Sequence, residues 1–219
     1  MLTKPLLREK ITAFVEKDAV NYWHKGLRFL DPPLVGFASA DDPFFQEMKK
    51  KEIGGGFFCS PCEWLEGAVS IISYFLPFTE EVRRSNDVRD DPSENWLYAR
   101  FEGEKLNNRL REFIVEELKA IDRRAVAPLL EEDFTVDHGL LSSNWSERHV
   151  AYAAGLETFS LSRGLITARG IAGRFGSVIT EEKYIPLPKG IQFPLPVLFL
   201  IAGGSLWKLY KALSGRSHQ

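Results

Sequence analysis

The sequence predicts an α+β fold, built as a mixed-sheet sandwich with flanking helices. Three observations lead to this prediction. Hydrophobic residues make up 44% and charged residues 26% of the 219 residues, which is typical of a globular protein. Helical patterns alternate with short β-patterns, but without the regular strand–helix–strand order of a doubly wound sheet. A chain of this length also buries a sizeable core without disulfide bonds.

The N-terminal part of the chain predicts a helix, a strand and a second helix. Apolar residues recur at helical spacing between Leu7 and Val15 and predict an amphipathic helix of about four turns. The run at 34–38 follows two prolines and predicts a short buried strand. Asp42 and Pro43 suit the N-cap and first position of a helix that runs into a lysine triplet and ends at a glycine triplet.

The middle of the chain predicts a central strand, a loop and a long helix. Residues 68–76 are rich in β-branched and aromatic side chains and predict the central strand. The polar stretch 80–95 predicts a surface loop long enough for a lid or a binding loop. Apolar residues follow one helical face over 104–121, which predicts a long helix, and 125–128 predicts a strand after it.

The C-terminal part predicts a capped helix and two short strands. Asn144, with Glu147 three residues later, is typical of a capping box. Gly155 is a typical left-handed residue at a helix C-terminus. The strands are predicted at 165–167 and 177–180, around a glycine-rich turn.

Gly170, Gly173 and Gly176 punctuate this turn and let the main chain approach something closely. That neighbour is either another strand or a ligand. The spacing does not match the G-x-G-x-x-G pattern after a strand, so a dinucleotide fingerprint is not supported.

Charge and cysteine content limit the location and the partners. The net charge of -2 gives no argument for binding nucleic acid or anionic lipid. Two cysteines exclude a disulfide framework and favour a reducing compartment, so we expect a cytoplasmic protein. The N-terminus shows no signal-peptide pattern. The uncharged segment 193–207 is shorter than the roughly 20 residues of a spanning helix, so we expect it to be buried or docked rather than in a membrane.

Cys59 and Cys62 form a C-x-x-C motif that has three interpretations. The pair supplies half of a tetrahedral zinc site, which His24, His138 or His149 would have to complete. Alternatively it is a redox pair at the start of a helix, or a feature of local structure alone.

Several segments, taken in order, resemble the epoxyqueuosine reductase family, and most closely its iron–sulfur relatives from anaerobes. The resemblance covers roughly residues 30–182. The segments that carry it are 33–38, 72–79, 96–100, Ala154-Gly155-Leu156, Ser162 to Ile166, Gly176-Ser177 and Thr180. The resemblance implies a nitroreductase-like core that binds base-off cobalamin in a broad cleft. It also implies a ferredoxin-like module whose two [4Fe–4S] clusters deliver electrons to cobalt, which reduces an epoxide on tRNA.

The sequence departs from this family in ways that affect function. No cysteine follows Thr180, where the family continues into the cysteine runs that hold the clusters, so we expect no iron–sulfur cluster. We interpret the chain as a truncated form, with residues 1–182 as the core domain and 183–219 as a divergent apolar tail. Leu141 occupies the position of the family's catalytic Asp, and nearby Asp137 does not match it. Glu157 replaces a signature glycine, so we assign no catalytic residue.

The resemblance predicts where a corrinoid would bind. Main-chain amides of the glycine-rich turns and nearby polar groups would contact the amide side chains of the corrin. The cofactor-binding candidates are Ser143, Asn144, Trp145, Arg148, His149, Gly155, Leu156, Thr158, Ser162, Gly173, Gly176 and Ser177. An alternative for His149 is a half-buried side chain that is hydrogen-bonded to the backbone.

Three functions therefore stay open. The first is a cobalamin-binding domain without the full reductase activity; if active, it would be a reductase supplied by an external ferredoxin. The second is a non-enzymatic remnant that binds no cofactor and buries residues 193–212 against its own core or in a homodimer. The third is a flavin-dependent, nitroreductase-like enzyme, with Arg163, Arg169 and Arg174 as the candidate phosphate-binding cluster.

Overall fold

A computed structural model of the chain describes residues 2–23, 26–50, 56–87, 91–139, 142–160 and 164–184. The helices are α1 (Lys4–Lys17), α2 (Pro43–Met48), α3 (Pro61–Trp64), α4 (Glu80–Ser85), α5 (Glu94–Lys119) and α6 (Glu147–Ala153). The strands are β1 (Tyr22–Trp23), β2 (Leu27–Arg28), β3 (Leu34–Ser39), β4 (Ser70–Pro77), β5 (Ala125–Val126), β6 (Val136–Asp137), β7 (Ser142–Ser143), β8 (Glu157–Phe159), β9 (Leu165–Thr167) and β10 (Gly173–Thr180). Two 3₁₀ turns lie at Ala19–Asn21 and Pro128–Leu130.

Four strands form the central sheet in the order β3-β4-β10-β5. Every neighbouring pair is antiparallel, so the described sheet is not mixed as the sequence predicted. The prediction failed because periodicity identifies strands but not their relative directions. All eight residues of β4 are buried, as expected for a central strand that is covered on both faces. The pairs β1–β2, β6–β7 and β8–β9 form separate two-stranded hairpins.

Helices cover both faces of the sheet. On one face, Tyr74 and its alternate neighbours in β4 pack in a core with the apolar sides of α1 and α5. On the other face, Ile71 packs in a second core with α2, α6 and Trp145. This alternation follows from the two-residue period of a strand, which directs successive side chains to opposite faces. The observed architecture is therefore α+β, with the sheet between two helical layers.

Most of the predicted elements are confirmed near their expected positions. Helix α1, strand β3 and the central strand β4 agree with the sequence patterns. Asp42 caps α2, because its carboxylate accepts a hydrogen bond from the Phe44 amide at 3.0 Å. Gly155 adopts a left-handed φ of 71° after α6, as predicted.

Two local predictions were wrong. The stretch predicted as a loop at 80–95 contains helix α4, and helix α5 begins at Glu94 instead of near residue 104. The N-cap of α5 is Ser93, whose hydroxyl accepts from the Trp96 amide at 3.1 Å. Asn144 does not cap α6, whose N-cap is Ser146. The Asn144 side chain instead binds the main chain of Asp133 and Thr135.

The described chain ends at Tyr184, which is part of the core. Its ring lies 5.0 Å from that of Phe37, and its hydroxyl donates to the Leu2 carbonyl at 3.2 Å. The predicted tail beyond this residue, including 193–212, lies outside the described residues. None of the helices in the described part of the chain has the length and apolar character needed to cross a membrane.

Candidate functional site

A buried ion-pair network joins α5 to the start of α6. The side chain of Arg111 is only 1% exposed, and its guanidinium lies 3.0 Å from Glu104 and 3.3 Å from Glu147. It also donates to the Phe175 carbonyl of β10 at 3.2 Å. Buried charges are costly unless they are paired, so these contacts fix the two helices relative to the sheet.

Tyr74 and Asn107 extend the network along the sheet. The Tyr74 hydroxyl donates to Asn107 Oδ1 at 2.9 Å, and Asn107 Nδ2 donates to the Phe175 carbonyl at 2.9 Å. Asn107 and Arg111 thus bind the same carbonyl of β10 from successive turns of α5. The network is a rigid polar connection between one helical layer and the middle of the sheet.

Burial controls the protonation of this network. It raises the pKa of the Glu147 carboxyl, while the nearby Arg111 charge and a hydrogen bond with Ser177 oppose the increase. Burial also raises the pKa of the Tyr74 hydroxyl, which therefore stays protonated as a hydrogen-bond donor. The Arg111 guanidinium is the positive charge that both the partly exposed Glu104 and the buried Glu147 contact.

The sequence contains a signal for this network that none of the predictions above used. Glu104, Asn107 and Arg111 are spaced by three and four residues and therefore share one side of α5. Asn107 and Arg111 interrupt the apolar face formed by residues such as Leu106 and Leu110, and both are buried. Polar residues at core positions of an amphipathic helix indicate a buried network.

Several sequence-predicted site residues lie in the second core. Trp145 is 1% exposed, and its indole N–H donates to the Ser177 hydroxyl at 3.0 Å. Its ring stacks on Phe58 with the centroids 5.6 Å apart. Asn144 is buried by its contacts with the preceding loop, and the Ser143 hydroxyl donates to the Trp145 carbonyl. The structure thus brings these four predicted residues together, with their side chains bound to other parts of the chain.

His149 and Arg148 lie on α6 with different environments. His149 Nδ1 is 2.7 Å from the Ser146 hydroxyl, and its ring packs near Phe44 and Phe159. Burial, with a smaller contribution from the Arg148 charge, lowers the pKa of His149 to about 3, so the imidazole is neutral at physiological pH. Arg148 is exposed. The partner of His149 Nδ1 is the Ser146 hydroxyl.

Close contacts within the protein surround two of the predicted cofactor-binding glycines, Gly173 and Gly176. A Cβ at Gly176 would overlap the phenol ring of Tyr74, and one at Gly173 would overlap Phe75 and the Leu76 carbonyl. The glycines thus allow β4 side chains to lie against β10, as when an aromatic ring covers a strand glycine. Leu156 lies over Gly36 of β3 in the same way.

The remaining predicted residues are Thr158, Ser162 and the three arginines of the flavin-dependent alternative. Thr158 has a buried hydroxyl oxygen without a hydrogen-bond partner among the described residues. Ser162 and Arg163 lie outside the described residues. Arg169 pairs with Asp31 at 2.9 Å, and Arg174 donates to the Arg100 carbonyl. The phosphate-binding role of these two arginines with Arg163 stays a prediction.

The C-x-x-C motif lies beside the predicted site. The Cys59 amide donates to the Asn144 carbonyl at 2.9 Å, and Cys62 is exposed in the first turn of α3. Burial and the Glu63 charge raise the pKa of the Cys59 thiol, which opposes thiolate formation. The described residues include no group of three or more histidine, cysteine or acidic side chains placed to hold a metal ion.

A polar cleft of about 1210 Å³ opens at the end of the sheet where β4 leads into α4. Its wall forms because main-chain hydrogen bonds join Asp31 to Pro77 at 2.8 Å and Thr79 to Phe29 at 3.0 Å. The cleft is lined by Gly26, Leu27, Arg28, Asp31, Thr79, Glu80, Glu81, Arg84, Ser85, Glu94 and Asn95. We call it the α4 cleft; no residue of the sequence-predicted site lines it.

No protein-family model and no curated protein matches the chain. The chain is similar to solved structures of epoxyqueuosine reductase, which confirms the predicted resemblance at the level of the fold. The structure from Streptococcus thermophilus has 16% identity and a TM-score of 0.52, covering 88% of this chain and 49% of that chain. A second structure is a complex with an epoxyqueuosine-modified tRNA-Tyr stem loop. It has 19% identity and a TM-score of 0.48, and the match covers 88% of this chain and 50% of that chain. The structure from Bacillus subtilis has 17% identity and a TM-score of 0.47, and the match covers 86% of this chain and 48% of that chain. The chain spans about half the length of these proteins.

Proposed function

We propose that this chain is a corrinoid-binding domain with a nitroreductase-like architecture, related to the core of epoxyqueuosine reductase. The observation that carries the proposal is the shared fold, at a TM-score of 0.52 over 88% of the chain. The ordered sequence segments from 33–38 to Thr180 support it independently of the coordinates. Because the chain spans about half of that neighbour, the proposal concerns cofactor binding alone.

The α4 cleft gives the chain room for such a ligand. Its volume of about 1210 Å³ exceeds the roughly 300–1,000 Å³ of common small-molecule pockets. A corrinoid is larger than most such ligands and carries amide side chains around a macrocycle. The cleft is therefore large enough for a corrinoid.

Most of the sequence-predicted residues contribute to the proposal by stabilising the fold, not by contacting a ligand. Trp145, Ser177 and Asn144 hold the second core together through the contacts described above, which join the segment before α6 to the middle of β10 and to the preceding loop. The buried Thr158 hydroxyl and the exposed Arg148 do not line the α4 cleft, so we retain them only as candidate contacts of a ligand that binds beside α6 and β8. Ser162 stays a predicted contact.

A bound corrinoid would supply redox chemistry at cobalt, and electrons would come from an external ferredoxin in the cytoplasm. The residues of this chain would bind and orient the macrocycle and limit its exposure to water. The buried Arg111–Glu147 pair would hold α6 in place during this binding.

Reconstitution with hydroxocobalamin tests the proposal. The purified chain is incubated with micromolar hydroxocobalamin, separated by gel filtration, and scanned from 300 to roughly 600 nm, because bound corrinoid absorbs visible light. Stoichiometric absorbance that co-elutes with the protein is the expected result. Flavin mononucleotide serves as the comparison ligand, and its fluorescence should stay in the small-molecule fraction.

The second candidate function, a non-enzymatic domain that binds no cofactor, is favoured by one observation. Tyr74 and Phe75 lie against Gly176 and Gly173, two of the cofactor-binding candidates that the resemblance predicts. Elution of the protein without either ligand at micromolar concentration would support this candidate and exclude corrinoid binding. Co-elution of flavin alone would instead establish the flavin-dependent alternative.

A further inference from the structure

We infer that a groove between α1 and α5 is the docking site of this chain's own apolar segment, residues 190–207. The groove has a volume of about 430 Å³. We call it the α1–α5 groove, and it is lined by Lys10, Ala13, Phe14, Lys17, Asp18, Phe113 and Glu117. It shares no residue with the α4 cleft, so the inference is independent of the proposed corrinoid binding.

The two helices that form the groove run antiparallel. Three contacts, spaced by four residues in each helix, join α1 to α5 at Lys10–Glu117, Phe14–Phe113 and Asp18–Arg109. Along this series the residue number rises in α1 and falls in α5. One end of the helix pair is therefore formed by the beginning of α1 and the end of α5.

The floor of the groove is apolar. The rings of Phe14 and Phe113 stack with their centroids 4.6 Å apart, and both side chains are only partly buried. Beside them, Lys10 and Glu117 form an ion pair at 2.6 Å, and Asp18 is also paired with a residue of α5. Because these charges already have partners, the stacked rings favour a neutral, apolar occupant over a charged one.

The described chain leaves the core at one end of this helix pair. The Tyr184 hydroxyl donates to the Leu2 carbonyl at 3.2 Å, just before α1 begins. Two residues earlier, Glu182 pairs with Arg123 at 2.7 Å, just after α5 ends. The residues that follow Tyr184 are therefore attached to the core beside one end of the α1–α5 groove.

The segment after Tyr184 has the reach and the composition that the groove requires. The α-helix between Lys4 and Phe14 is about 15 Å long, because each residue adds roughly 1.5 Å. An extended chain from Tyr184 to Phe193 spans up to about 30 Å. Residues 190–207 contain no charged side chain and include several large apolar ones. Attachment at Tyr184 also gives this segment a high effective concentration at the groove, which a separate partner lacks.

Disulfide trapping in the whole chain tests the inference. Cys59 and Cys62 are first replaced by serine, and one cysteine is then placed in the groove lining, as Ala13→Cys or Lys17→Cys. The matched control is Glu16→Cys, an exposed position of α1 outside the lining. Thermal unfolding verifies that each variant is folded, and the two groove positions serve as independent versions of the test.

Each of these cysteines is combined in turn with Phe193→Cys, Val197→Cys or Ile201→Cys. Diamide oxidises the two thiols to a disulfide and takes up their two electrons and two protons. Gel electrophoresis without reductant, followed by mass spectrometry of the linked peptides, separates disulfides within one chain from those between two chains.

We expect at least one partner position to form a within-chain disulfide with each groove cysteine about tenfold faster than with Glu16→Cys, because docking raises the effective concentration of the thiols. Equal rates for the groove and control positions, or no disulfide with either groove cysteine, would overturn the inference. Disulfides that form mainly between two chains, at a rate that falls on dilution, would assign the groove to a second copy and would also overturn it.

Discussion

Arg111 Nη2 lies 3.3 Å from Glu147 Oε1, and this contact joins the long helix α5 to the short helix α6. Both side chains are largely inaccessible to water, at 1% and 12% exposure. The pair is therefore an ion pair inside the fold and not a surface contact. It connects the helix layer on one face of the sheet with the helix that carries Arg148 and His149 of the sequence-predicted site.

Removing one partner of this pair should strongly destabilise the protein. Arg111→Met leaves the Glu147 carboxyl buried without its cation, which costs about 3–5 kcal/mol of unfolding free energy. Urea denaturation followed by tryptophan fluorescence measures the change. The control is Lys105→Met on the same helix, where the pair with Glu102 is exposed and the loss should stay below about 1 kcal/mol.

The double variant Arg111→Met/Glu147→Gln should recover part of the lost stability, because no unpaired charge remains buried. Equal losses for Arg111→Met and Lys105→Met would show that the buried pair does not contribute as the geometry indicates.

Two glycine substitutions separate packing from backbone strain. Gly176→Ala forces a Cβ into the Tyr74 ring and should cost about 1–3 kcal/mol, the usual penalty for overpacking. Gly170→Ala meets no neighbour and should cost about 1–2 kcal/mol for its left-handed φ of 88°. Chemical denaturation gives both values.

The combination with Tyr74→Leu identifies the cause. Because a smaller side chain removes the overlap, the added cost of Gly176→Ala should shrink in that background, whereas the cost of Gly170→Ala should not change. If Gly176→Ala lowers the unfolding free energy equally in both backgrounds, the Tyr74 ring is not the group that excludes a Cβ at position 176.

His149 should make the protein less stable in acid. Burial lowers its folded-state pKa to about 3, whereas the unfolded chain takes up a proton near pH 6.5. The unfolded state therefore binds more protons between these values, and the unfolding free energy falls by up to about 1.4 kcal/mol per pH unit as the pH drops. Denaturation at several pH values measures this slope.

His149→Gln removes the titrating group and should flatten the slope between pH 6.5 and about 4 relative to the wild type. An NMR titration in which the His149 ring changes protonation state near pH 6.5 would contradict the buried, neutral imidazole.

The two cysteines should differ in reactivity. Cys62 is exposed, whereas Cys59 is partly buried and its pKa is raised by burial and by Glu63. The thiolate is the reacting species, so iodoacetamide at pH 7.5 should modify Cys62 several times faster than Cys59. Mass spectrometry of peptides from timed samples gives both rates. Unfolding in urea provides the control, since it should equalise them, and equal rates in the folded protein would contradict the environment of Cys59.

Much of the fold could be predicted because its signals are local. The apolar period of residues 7–15 determines α1, and the β-branched run around Ile71 and Ile72 determines the central strand β4. Asp42 determines the start of α2 through one short-range hydrogen bond. Local features such as these act between residues a few positions apart, so the sequence alone can show them.

The tertiary structure decided what needs long-range contacts. Strand direction in the sheet depends on pairing between β4 and β10, about one hundred residues apart, and it turned out antiparallel throughout the described sheet. Asn144 had the pattern of a cap, but main-chain groups of Asp133 and Thr135 compete for its side chain and hold it elsewhere. Local propensity is a weak constraint when such a contact is available.

The candidate site shows the same division. The sequence by itself determined which glycines and polar residues between 143 and 180 are unusual, and the ordered segments that resemble one reductase family. Only the folded structure decided that Tyr74 fills the space beside Gly176, that Arg111 meets Glu147, and that the α4 cleft opens at the end of β4. The physical reason is that the role of a glycine or of a charged side chain depends on the groups that pack against it. Those groups are distant in sequence, so only the folded structure shows them.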